Sequence, residues 1–142
     1  MLDKERILIK IDELRGYLQE LGQIMPSNFD EYQSIEKKRS CERLLQLSIE
    51  SVIDVCKILV SNLRLGIPSE EIDLFESLFR KGIITDKILR MLKEMRGLRN
   101  ILVHEYAEVD DKLIFKILHA RLNDFDNFIK IILNFIKKQE NK

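Results

Sequence analysis

Several common chemistries lack their ingredients in this sequence. Of 142 residues only two are cysteine, Cys41 and Cys56, and two are histidine, His104 and His119. They are scattered and make no metal-ligand spacing, so no metal site is expected. Both cysteines lie in helical patterns and read as reduced thiols of a reducing compartment, with a bridge between them left open. Five glycines form no phosphate-cradling loop, and no cofactor is implied. Twenty-four Lys+Arg against 24 Asp+Glu leave no net charge, which argues against coating duplex DNA by charge alone. A neutral chain also has little self-repulsion to oppose association. No apolar run reaches the roughly 18 residues that a spanning helix needs, so no membrane contact is expected. Asp3, Lys4, Glu5, Arg6 and Lys10 interrupt the stretch where a secretory leader would be apolar. A cytoplasmic protein is the expectation. Strand-type alternation, repeats, low-complexity tracts and long linkers are also missing.

What remains is a helical chain. A hydrophobic share of 45% over 142 residues suits one domain, 1–142, with a real core. Ile7, Ile11, Leu14, Leu18 and Leu21 recur at helical steps and predict a helix over 2–23, stopped by Gly22 and Met25-Pro26-Ser27. A second and longest helix is expected over 30–63, with Tyr32, Ile35, Leu45, Ile49, Val52, Cys56, Leu59 and Leu63 inward. Its polar segment 36–42 reads as a solvated face with ion pairs such as Lys38–Glu42, or else as a basic rim near a ligand. Gly66 is the expected C-cap. A short third helix, 69–81, has Ser69 as candidate N-cap, and Glu70 and Glu71 complement its positive end. Ile72, Phe75, Leu78 and Phe79 point inward, and Gly82 closes it. The fourth opens at Thr85-Asp86 with the stripe Ile88, Leu92, Met95, Leu102 and Tyr106, its methionines read as packing. The fifth, 110–138, is apolar over more than one core stripe (Leu113, Ile117, Phe125, Phe128 and Ile136 among others), so part of it is expected to face another chain. The fold class is all-α: an up-down four-helix bundle with one additional short helix.

The informative stretch is 96–106, RGLRNILVHEY. Arg99 falls in the middle of the fourth helix's apolar stripe, where a charge is seldom buried without a partner. Residues 80–99 hold seven Lys/Arg against two acids, on a chain with no net charge. Lys93, Arg96, Asn100 and His104 share an arc of about 80° at the helical step. Histidine moves protons near neutral pH, and arginine grips phosphate through a fork of donors. Asparagine orients without titrating. Such a set suits cleavage of a phosphodiester by its own 2′-hydroxyl, which needs no metal if a base takes the proton and a cation holds the phosphorane charge. An ideal helix, however, puts Arg99 and His104 about 140° apart with roughly 7.5 Å of rise. Either the helix bends near Gly97 or His104, or the arginine stem reaches round, or two chains share the site; the shared site is the preferred reading. The blander reading makes His104 a capping or core residue and Tyr106 a core aromatic. His119 reads as a surface or dimer-edge residue.

Arg99-Asn100-Ile101-Leu102-Val103-His104-Glu105-Tyr106 resembles the Arg-x4-His-x-Tyr signature of the HEPN superfamily, and within it the HepT-like toxins of two-gene toxin–antitoxin modules. The five-helix plan and the motif's place late in the fourth helix agree. The resemblance implies a metal-independent RNase acting on RNA as a homodimer, with two motifs facing across a cleft. It implies that Arg99 binds the scissile phosphate, His104 acts as general base or acid, and Asn100 orients one of them. Lys93 and Arg96 become candidate substrate-binding cations. Tyr106 matches the tyrosine to which a partner MntA-type nucleotidyltransferase transfers AMP, adding charge and bulk beside the site. A catalytically silent binding partner of such a nucleotidyltransferase, and a purely structural helical dimer, are the competing expectations.

Overall fold

Asp3 opens the first helix by accepting a hydrogen bond from Arg6 N at 3.2 Å, one of the orphan donors of a helix start. This computed structural model describes residues 2–104 and 108–142, and its described residues form seven helices. They are α1 (Lys4–Ile24), α2 (Phe29–Tyr32), α3 (Ile35–Asn62), α4 (Glu71–Arg80), α5 (Asp86–Val103), α6 (Asp111–Ala120) and α7 (Asn123–Glu140). Four long helices and three short ones make the expected all-α bundle, with two more short helices than the sequence pattern suggested.

The centre of the bundle is α3. Its second half is apolar almost all round, and Ile49, Val52, Ile53, Val55, Cys56, Ile58, Leu59 and Val60 are all buried. A helix of that kind needs neighbours on several sides, and α1, α4 and α5 supply them. The stripe Ile7, Ile11, Leu14 and Leu21 of α1 is fully buried. The backbone N–H of Asp3 donates to Asn62 Oδ1 at 2.7 Å, which ties the start of α1 to the end of α3.

Three helices differ from expectation for local reasons. The predicted 30–63 helix is two. Ser34 is extended (φ −63°, ψ 140°) and its hydroxyl caps Lys37 N at 3.3 Å, so a new helix starts there. Tyr32 is buried as expected, but Ile35 is 76% exposed. Lys38 does not pair with Glu42. It reaches Asp111 of α6 at 2.7 Å, while Arg39 takes Glu42 at 3.2 Å, so segment 36–42 docks a neighbour as well as facing water.

On α4 the N-cap is Glu70, one residue past Ser69, because Asp73 Oδ2 accepts from both Ser69 N at 2.9 Å and Glu70 N at 3.0 Å. The helix packs chiefly on α3 and α5. It therefore covers only the narrow stripe Leu74, Phe75 and Leu78, and leaves Phe79 40% exposed, contrary to the inward placing.

The predicted 110–138 helix breaks at Arg121, whose backbone leaves the helical region (φ −125°, ψ 5°). Arg121 is held there by Asp124 at 2.8 Å and by Glu94 of α5 at 2.7 Å. The bend explains much of the wide apolar surface. Ile114 and Leu118 of α6, and Phe125, Phe128, Ile132 and Ile136 of α7, enter one core from two helix directions.

After α3 the left-handed residue is Arg64 (φ 54°), with Leu65 N bonding back to Val60 O at 3.0 Å. The C-cap of α3 is therefore Leu63, with left-handed Arg64 directly after it, rather than Gly66 (φ 116°). Gly82 (φ 81°) closes α4 as expected. Cys41 and Cys56 are free and buried, and both sit on α3. Fifteen residues of helix separate them by roughly 22 Å, so no bridge joins them. Burial pushes both thiols above their ordinary range. His119 lies at the surface, with its ring 4.4 Å from that of Phe115 and its Nε2 donating to Pro26 O at 2.9 Å. Among the described residues no helix is long and apolar enough to cross a membrane.

Candidate active site

The site is built on the last turns of α5 and the first turn of α4. Thr85 caps α5 through Ile88 N at 3.3 Å, and Ile88, Leu89, Met91, Leu92 and Met95 are buried. That stripe fixes the rotation of α5 and so the direction of its last turns. The helix runs unbroken through Gly97, which is exposed and not a bend.

Arg99 follows from that rotation. It lies on the buried side of α5, yet keeps a partner at each edge of its guanidinium. Nε donates to Asn100 Oδ1 at 3.0 Å, and Nη2 donates to Glu71 Oε1 on α4. Its side chain is only 14% exposed. A guanidinium so placed needs a compensating anion. Arg96, one turn earlier, donates from Nε to the same Glu71 oxygen at 3.2 Å. Lys93, one turn earlier again, has Nζ 3.4 Å from Glu76 of α4. Three cations on one face of α5 thus meet two carboxylates of α4.

His104 stands at the exit of α5. The helix ends at Val103, and His104 is its C-cap, extended at φ −82° and ψ 114°. Its φ is near-helical and its ψ turns only the chain beyond it, so its Cα–Cβ bond keeps roughly the helical phase, about 140° round from Arg99. Asn100 and His104, four residues apart, accordingly stay on about the same side of α5. His104 is exposed. Tyr106 lies outside the described residues, so the inward stripe expected of it stands neither for nor against.

Among the predicted residues, then, Arg99 and Asn100 are joined by a hydrogen bond, Arg96 joins Arg99 through Glu71, and Lys93 sits further along the same row. The residue that sequence reasoning missed is Glu71, read there as a helix-end acid. One sequence signal pointed to it: an arginine in the middle of an apolar stripe demands an anion from elsewhere in the chain. Among the described residues no group of three His, Cys, Asp or Glu is placed to hold a metal ion. The arrangement offers instead a forked cation fixed by two hydrogen bonds, further cations along its helix, and an exposed imidazole at the helix exit.

Fold and motif together define a HEPN-class helical domain. The solved structure of the tri-AMPylated Shewanella oneidensis HEPN toxin in complex with MNT antitoxin superposes with a TM-score of 0.85 at 30% identity, covering 94% of this chain and 99% of that one. The chain belongs to the HepT-like ribonuclease family, whose model matches residues 14–132, and it is thereby a ribonuclease by family. Among curated relatives, the mRNA nuclease HepT of Shewanella oneidensis is 30% identical over 126 residues, 89% of this chain and 95% of the relative. The tRNA nuclease HepT of Aphanizomenon flos-aquae is 27% identical over 139 residues, 96% of this chain and 95% of the relative.

Proposed function

We propose that this chain is a metal-independent endoribonuclease toxin, active as a homodimer in the cytoplasm and neutralised by AMP transfer to Tyr106 from an MntA-like nucleotidyltransferase antitoxin. Arg99 binds the scissile phosphate and stabilises the phosphorane. Asn100 orients Arg99, a role supported by the 3.0 Å bond between them. His104 takes the proton of the 2′-hydroxyl as that oxygen attacks the adjacent phosphorus, and the P–O5′ bond breaks with the 5′-oxygen taking a proton from water. The products are a 2′,3′-cyclic phosphate and a 5′-hydroxyl. Lys93 and Arg96 draw the RNA backbone along α5.

The observation that carries this reading is the mostly buried Arg99 guanidinium, held by Asn100 and Glu71 before any substrate is present. His104 closes α5 five residues on and is exposed, so a second copy facing it would bring an arginine and a histidine to one phosphate. Support for a site shared by two copies comes from Ile101 and Val103, which lie between Arg99 and His104 and are 40% and 41% exposed. The test is purified protein with structured RNA in EDTA. Wild type is expected to cleave, with products that carry a cyclic phosphate, and His104→Ala to lose cleavage by roughly 100-fold or more. Equal cleavage by both rejects the reading.

The relative of known structure is described as AMPylated and bound to an MNT antitoxin, and this supports the same partner here. Co-expression with a neighbouring small nucleotidyltransferase is expected to add one or more AMP units to the intact mass. The gain should vanish in Tyr106→Phe; a gain that persists there places the modification elsewhere.

A second reading has one observation in its favour. Arg96 and Arg99 are already paired with Glu71, as in a chain that only docks on a nucleotidyltransferase. It predicts complex formation with no cleavage by the unmodified protein.

A further inference from the structure

The carboxylate between Arg96 and Arg99 comes from a different helix, 28 residues away from Arg99 along the chain. Its mounting is rigid. Glu71 stands in the first turn of α4, where Glu70 and Asp73 close a reciprocal capping box. At helical steps it continues the stripe of Phe75 and Leu78, both fully buried. That stripe seats α4 and brings Glu71 to α5 with its side chain three-quarters covered.

At the arginine end, the Glu71 and Asn100 bonds engage two of the guanidinium's five N–H donors. They hold it at Nε and Nη2, and neither bond uses Nη1. Two arginines on one carboxylate carry one net positive charge, enough to attract a phosphate without leaving a buried cation unpaired.

We infer that Glu71 is a positioning residue for Arg99: it fixes the guanidinium before RNA arrives and stays on it through the reaction. This rests on the ribonuclease reading above, with Arg99 as the group that meets the phosphate. It makes α4 part of the site, although no residue of α4 belongs to the Arg-x4-His motif. A carboxylate that merely occupied the arginine until RNA displaced it would have the opposite effect on the rate, and that difference decides the matter.

The experiment compares wild type, Glu71→Gln and Glu71→Asp, with thermal melting to show that each is folded. Loosening the arginine is expected to lower kcat for RNA cleavage by roughly 10- to 100-fold. KM should not rise, because the substitution also removes a negative charge from the path of the RNA. Glu71→Asp keeps the charge and should recover part of kcat. The second arm needs no activity: 15N relaxation of the Arg99 Nε–H group, assigned by its loss in Arg99→Lys. It should be ordered in wild type, mobile in Glu71→Gln and intermediate in Glu71→Asp. A kcat for Glu71→Gln equal to or above wild type overturns the inference. So does an Arg99 Nε–H as ordered in Glu71→Gln as in wild type. If wild type itself fails to cleave RNA, the ribonuclease reading fails, and the relaxation data alone decide whether Glu71 positions Arg99.

Discussion

Arg99→Ala is expected to lower RNA cleavage by roughly 100- to 1,000-fold, the range seen when one preorganised donor to a developing oxyanion is removed. The guanidinium is fixed on two sides, by Asn100 and Glu71, before any substrate binds. No reorganisation is then needed when charge builds on the phosphorane. Single-turnover cleavage of a structured RNA in EDTA measures the loss. Arg99→Lys keeps the charge but not the fork, and should fall between alanine and wild type. Fold is controlled by circular dichroism, since Glu71 keeps Arg96 as a partner at 3.2 Å in either variant. Cleavage by Arg99→Ala at the wild-type rate would remove the arginine from the reaction and leave the docking role.

Phe75→Ala carries the largest expected effect on stability. Phe75 is fully buried on α4, a ten-residue helix whose buried stripe is only Leu74, Phe75 and Leu78. Truncating a buried phenylalanine costs about 3–5 kcal/mol, as transfer free energy plus the cavity left behind. So short a helix gets most of its stability from packing. The loss should therefore be visible as faster amide exchange throughout α4, as well as a lower midpoint in urea. Residues of α7, which α4 does not chiefly contact, should keep their protection under native conditions. A loss below about 1 kcal/mol would mean that the stripe does not seat α4. The placing of Glu71 would then need another cause.

The sequence alone determined the fold class and the residues of the motif. Helical period is a local property, and Ile7, Ile11, Leu14, Leu45, Ile49 and Leu59 are buried where that period put them. Tertiary structure decided where the long patterns break. Apolar periodicity runs through Ser34 and Arg121 without interruption, yet a hydroxyl cap ends one helix and starts another at Ser34, and ion pairs to Asp124 and Glu94 hold the turn at Arg121. Tertiary structure also decided the partner of Arg99. The need for an anion was legible from an arginine on an apolar stripe. Its identity was not, because Glu71 is 28 positions away from Arg99 and reaches it only when α4 folds against α5. Nor could spacing show that α5 ends at Val103, with His104 as its C-cap. Periodicity specifies which face of a helix is buried; which groups meet across two helices depends on how they pack.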